Sequence, residues 1–129
     1  MACPHPAPVI ADATAAAAQV ADLARGSTEG AAVLYLDPEW RLLGRIDFRG
    51  SADEVTPPFR TIIAEALRLD AAALILAHNH PSGDSRPSAA DLAYTRDLVR
   101  IATTLDIVIA DHLILAGKRV VSLRGEGLL

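Results

Sequence analysis

Apolar residues fall in short blocks along the chain, and their spacing changes from block to block. Val9 to Arg25 is Ala-rich with Gly26 behind it, which predicts a helix and its stop. Ala31 to Leu36 is a continuous apolar run of strand length. Asp37-Pro38-Glu39 is a turn signal. Arg41 to Phe48 then alternates, with Leu42, Gly44, Ile46 and Phe48 on one face and Arg41, Leu43, Arg45 and Asp47 on the other. Thr56-Pro57 offers an N-cap followed by proline at the first helical position. The helix it opens runs to about Leu69, with Phe59, Ile62, Ile63, Ala66 and Leu67 facing inward. Ala72 to Ala77 is apolar throughout, as in a central strand covered on both faces. His78 to Pro87 reads as a loop, Ser88 to about Leu105 as a helix, and Ile107–Ala110 and His112–Ala116 as short strands. Gly117-Lys118 turns into a last strand, Arg119 to Leu123.

Interleaved strands and helices predict an α/β fold, a central mixed sheet with helices on both faces. Residues 1–8 carry three prolines and read as a flexible tail; residues 9–129 read as a single domain without repeats or a long linker. Composition narrows the picture. The chain is 51% hydrophobic with only five aromatics, which favours close helix-on-sheet packing over an aromatic binding platform. A net charge of −4 and an isoelectric point of about 5.4 argue against a nucleic-acid partner. Eleven of the twelve basic residues are arginine, which leaves a local basic patch open. Cys3 is the lone cysteine, so an intramolecular disulfide and a Cys-rich zinc knuckle are both excluded. No apolar stretch is long enough to span a membrane, and no basic segment precedes an apolar one at the N-terminus. The expectation is a cytoplasmic protein without a membrane partner. The Ala-rich first helix could pack on its own sheet or on a second copy, which leaves a homodimer open.

The chemistry concentrates in His78-Asn79-His80-Pro81-Ser82-Gly83, followed by Ser88 and Asp91. Two imidazoles and a carboxylate are three of the four groups of a catalytic zinc site, the fourth place being left to water. Each has an ordinary alternative. A histidine at a strand end is often a surface residue, and Ser88-x-x-Asp91 could be a capping box that opens a helix. Taken together they converge: His78 and His80 share a side at period two, and Asp91 lies on the first turn of the returning helix.

His78-x-His80, seven residues, Ser88, two residues, Asp91 resembles the JAMM (MPN+) metalloprotease motif. The fuller string, with Asp84, Pro87-Ser88 and Asp111-His112-Leu113-Ile114, resembles the bacterial RadC-like JAB domain, from roughly Ala31 to Val121. The resemblance implies a three-layer α-β-α fold similar to that of cytidine deaminases. It implies one zinc ion per chain on His78, His80 and Asp91, with Ser88 donating to the oxyanion. It implies hydrolysis of a peptide or isopeptide bond in a peptide or protein substrate. The helix-hairpin-helix segment of full-length RadC proteins is not seen, so a stand-alone JAB domain is expected.

In that family a glutamate on an earlier strand acts as the general base. RadC-like sequences carry it three residues before Phe-x-Gly; here Phe48-Arg49-Gly50 matches, but the position holds Arg45, and counting from the Leu36-Asp37 turn gives Ile46. Asp47 is the nearest acid, one methylene shorter and on the face shared with Arg45; Glu39 and Glu54 are more distant. Either a bulge lets Asp47 serve, or the domain is a non-catalytic zinc-binding interaction module. His112 reads as a ligand's supporting partner or, preferably, as a structural residue paired with Asp111, and His5 as solvated. Arg41, Arg45 and Arg49 could bind an acidic partner, but read preferably as a solvated strand face paired with Asp47. Two rivals fail. In an HNH nuclease the three residues are spread over a ββα unit, and a zinc deaminase needs Pro-Cys-x-x-Cys.

Overall fold

The structure, a computed structural model, describes residues 7–50 and 56–129. Cys3, His5 and Glu54 lie outside the described residues. The described residues form five strands: β1 (Gly30–Leu36), β2 (Leu42–Arg49), β3 (Ala73–Asn79), β4 (Val108–Ala116) and β5 (Arg119–Ser122). They form three α-helices: α1 (Ala13–Gln19), α2 (Phe59–Arg68) and α3 (Ala89–Thr104). The strand order is β2-β1-β3-β4-β5, and only the β3–β4 pairing is parallel. A parallel step needs a long crossover, and α3 supplies it.

The sheet lies between two helical layers, giving the expected three-layer α/β fold with a mixed sheet. On one face, Ala16 and Val20 from the N-terminal segment pack with Ala32, Leu34, Ile75, Ala77 and Leu113. On the other, Ile62 and Ala66 of α2 and Leu98 and Ala102 of α3 pack with Val33, Tyr35, Leu74 and Leu76. All seven residues of β3 are buried, which is why its sequence lacks the alternation of a half-exposed strand. Each fully buried leucine here contributes roughly 1.5–3 kcal/mol by leaving water.

Several local expectations are corrected. The first helix is shorter. Ile10 N–H bonds the Trp40 carbonyl and Leu42 N–H bonds that of Pro8, so 8–10 lie alongside the 40–42 segment. Asp12 then caps α1 by accepting from Ala15 N–H at 2.8 Å, and a 3-10 turn, Ala21–Arg25, follows it. The second helix begins at Phe59 with an extended Pro58 as its N-cap, not at Pro57 behind a Thr56 cap. Consecutive prolines disfavour helical backbone in the residue before each. Leu67 is 59% exposed instead of inward. Leu42 packs on the α1 face, away from Ile46 and Phe48, because Leu43 is an extra residue opposite Tyr35 and Leu36.

Two further differences bear on the site. β3 runs on through His78 and Asn79, where a loop was expected. The two short strands expected at 107–110 and 112–116 are one strand, β4, with Ala110 as a bulge between Ile109 and Asp111. Arg124 donates to the Ile109 and Ala110 carbonyls at this bulge.

Candidate metal centre

Period two along β3 places Leu74, Leu76 and His78 on the α2/α3 face. His80 follows just beyond; its N–H bonds the Leu115 carbonyl at 2.8 Å, which extends the β3–β4 pairing by one residue. The two rings meet, with His78 Nε2 and His80 Nε2 2.8 Å apart. The loop from Pro81 to Pro87 turns back through Gly83 at φ 83°, a backbone conformation that favours glycine. Arg86 fastens this loop to Asp84, holding the Asp84 carboxyl down to about 2.

The chain re-enters as α3. Ser88 Oγ accepts from Asp91 N–H at 2.9 Å, and Asp91 Oδ2 accepts from Ser88 N–H at 2.8 Å. This capping box satisfies two helix-end donors and also aims Asp91. Its Oδ1 lies 3.3 Å from His78 Nε2 and its Oδ2 3.2 Å from His80 Nε2. Burial alone would push the Asp91 carboxyl up; the His78 hydrogen bond and charge and the Ser88 donors outweigh it and hold the group below the usual carboxylate range.

The far sides of both rings are anchored. His80 Nδ1–H donates to the Asp84 carbonyl at 2.7 Å, so the Nε2 of the neutral ring is bare. His78 Nδ1 lies 2.7 Å from His112 Nε2, and His112 Nδ1 lies 2.5 Å from Thr95 Oγ1. With His112 donating to Thr95 and accepting from His78, a neutral His78 ring has its Nε2 bare as well, whereas the hydrogen bond to Asp91 belongs to the protonated ring. Burial first, then the nearby His78 charge, lowers the His112 pKa to about 3, so the ring is neutral at pH 7. Two bare nitrogens and a carboxylate at these separations are a donor set suited to a cation.

A second carboxylate approaches from β1. Ala31 pairs with His78, and one repeat further along the same antiparallel register Glu29 falls opposite His80. Glu29 Oε1 lies 3.8 Å from His80 Nε2, on a side chain only 11% exposed. Glu29, His78 and His80 offer ligand atoms all within 4.8 Å of one another and could hold a metal ion. Asp91 competes for the same place. It lies closer than Glu29 to His80 and approaches both rings. The residues front a cleft of about 990 Å³. Its apolar wall includes Ala31, Leu76, Pro57 and Tyr94, whose hydroxyl donates to the Pro57 carbonyl.

His78, His80, Ser88 and Asp91 are thus brought together, and Asp47 is not among them. Asp47 pairs with Ala32 across the β1–β2 ladder, and Ala32 faces the α1 layer. Its carboxylate is held by Arg45, which also binds Asp22. The expected pairing of Arg45 with Asp47 is thus present, and Arg45 also reaches the Gln19 carbonyl and Asp22. Glu39 sits in the β1–β2 hairpin, at the opposite end of β1 from the histidines. Asp111 turns to the α1 face, accepting from Ser122 Oγ and Arg124 N–H, while His112 faces the cleft. Sequence reasoning missed Glu29 and Thr95 and set His112 aside. Strand register could have found Glu29, but Ser27-Thr28-Glu29-Gly30 reads locally as loop.

The family model of the RadC-like JAB domain matches residues 10–128 of this geometry-bearing chain. The chain belongs to the RadC-like JAB domain family. It is 44% identical over 108 residues to a UPF0758 protein of Rhodobacter capsulatus, covering 83% of this chain and 50% of that one. It is 45% identical over 113 residues to a UPF0758 protein of Thermosynechococcus vestitus, covering 87% and 45%. The UPF0758 protein YkfG of Escherichia coli K12 is 42% identical over 98 residues, covering 75% and 62%. This RadC-like JAB domain thus spans about half the length of most of these relatives. Among its described residues, no helix is long and apolar enough to cross a membrane.

Proposed function

We propose that this RadC-like JAB domain is a zinc-dependent hydrolase of peptide or amide bonds, with Glu29 as its general base in place of Asp47. The observation that carries the reading is the convergence of His78, His80 and Asp91 with a second, nearly buried carboxylate on one face of the sheet. His78, His80 and Asp91 would hold the ion. Zinc, when bound, supplies a lowered water pKa and polarisation of the substrate carbonyl.

The chain's own residues supply the rest. Glu29 takes a proton from the attacking water and returns it to the leaving amine. Ser88 Oγ accepts from Asp91 N–H and lines the cleft, so its own O–H is free to donate to the developing oxyanion. The cleft's apolar wall and its volume suit an extended peptide or a protein chain end as substrate.

The test is zinc content and turnover of a fluorogenic peptide pool, for wild type, His80→Ala, Glu29→Gln and Asp47→Ala. Wild type should purify with zinc, and His80→Ala should lose it. Glu29→Gln should keep zinc and lose turnover by about 100-fold or more. Asp47→Ala should stay near wild type. Zinc-bound wild type without turnover would instead favour the interaction module, and wild type that takes up no zinc would overturn the metal site.

A further inference from the structure

The asparagine between the two histidines points the other way. Asn79 ends β3 and is 2% exposed, and its odd position turns its side chain to the α1 face, behind the cleft. There its Oδ1 accepts from Gly30 N–H at 2.6 Å. Its Nδ2 donates to the Thr28 carbonyl at 3.1 Å and reaches the Gly26 carbonyl at 3.5 Å. Two of the three residues bonded, Thr28 and Gly30, flank Glu29 directly, and Gly26 lies three residues before it. Gly30 is the residue that falls opposite Asn79 in the β1–β3 register, so the side-chain amide here takes the strand's N–H.

We infer that Asn79 is a positioning residue for Glu29. It clamps the backbone on both sides of the carboxylate from the opposite face of the sheet. The inference rests on the reading of Glu29 as the base. Among side chains of this length only an amide carries an acceptor and donors together. Aspartate would keep the bond to Gly30, lose both bonds to carbonyls and bury a charge. Alanine would lose all three. Glu29 itself lies just before β1, at the end of a stretch outside regular structure, where a shift of about 1 Å can cost roughly 100-fold in rate.

The experiment compares Asn79→Ala, Glu29→Gln and the double variant for kcat, KM and zinc affinity on the fluorogenic peptide pool. It adds amide hydrogen exchange at Gly30 in the metal-free protein. Asn79→Ala should lower kcat by about tenfold or more, with KM and zinc affinity little changed. Added to Glu29→Gln it should cost nothing further, because its effect runs through Glu29. Gly30 exchange should accelerate. Asn79→Asp serves if the alanine variant does not fold, with an intermediate loss expected and Gly30 protection retained. Full turnover in Glu29→Gln would remove the base and this inference with it. Loss in Glu29→Gln alongside wild-type kcat in Asn79→Ala would overturn the inference alone. So would zinc loss in parallel with turnover, or additive losses in the double variant.

Discussion

Glu29 and Asp91 reach the same histidines from different elements, and the way Asp91 is held separates their roles. The capping box fixes both Asp91 oxygens near the rings, whereas Glu29 approaches His80 alone among the ring contacts described. His112 is the third residue that matters at this scale. Its folded-state pKa is lowered from 6.5 to about 3, so below about 6.5 the unfolded chain takes up a proton that folded His112 refuses. Its contribution is therefore full above that value and is lost as pH falls toward 3. Melting of the metal-free protein should show stability falling between about pH 7 and about pH 4. His112→Asn should flatten that slope by up to about 1.4 kcal/mol per pH unit. An unchanged slope would show that His112 is not buried neutral. His78, His80, Ser88 and Asp91 were legible because their meeting depends on local spacing. Glu29 was not, because it reaches His80 through pairing between distant strands, and no local pattern records that.

Among the elements, α3 has at its N-cap, Ser88, a structural load and, in the proposed function, a chemical one. Ser88→Ala removes the cap and should cost about 1 kcal/mol, while Ser88→Gly should cost only a few tenths. Both remove the hydroxyl, so both should lose turnover alike. Turnover that instead follows the two stabilities would reduce Ser88 to a cap. The helix and its cap were readable from Ser88-x-x-Asp91. β4 was not readable as one strand, since the bulge at Ala110 interrupts the period-two signal. Without the bulge, Ile109 and Asp111 would share a face and His112 would turn away from the cleft. The same limit hid the switch at Leu43.

For the molecule as a whole, the layers follow from apolar patterning, and the site follows from how three strands are registered against one another. The final turn takes part in this. Arg124 binds the bulge carbonyls of Ile109 and Ala110, and its N–H binds Asp111. Arg124→Ala keeps the N–H to Asp111 and should cost about 1–3 kcal/mol by leaving the two bulge carbonyls without their guanidinium donor. Zinc affinity should fall as well, since the bulge aims His112 at His78. Calorimetric zinc titration checks this, and wild-type affinity in the variant would show that the bulge holds without its arginine.

Because β3 and the residue that follows it present the two histidines on one face and Asn79 on the other, inheritance can edit this protein unevenly. One codon inserted between Ala73 and His78 would exchange the faces, turning the imidazoles toward α1 and the amide into the cleft. Two codons would restore the faces and displace the site by about 6.6 Å along the strand, out of reach of Asp91. The hairpin at Asp37–Trp40, at the far end of β1, lies outside that constraint. Length variation among descendants of this chain should therefore collect in such turns and spare the seven residues of β3.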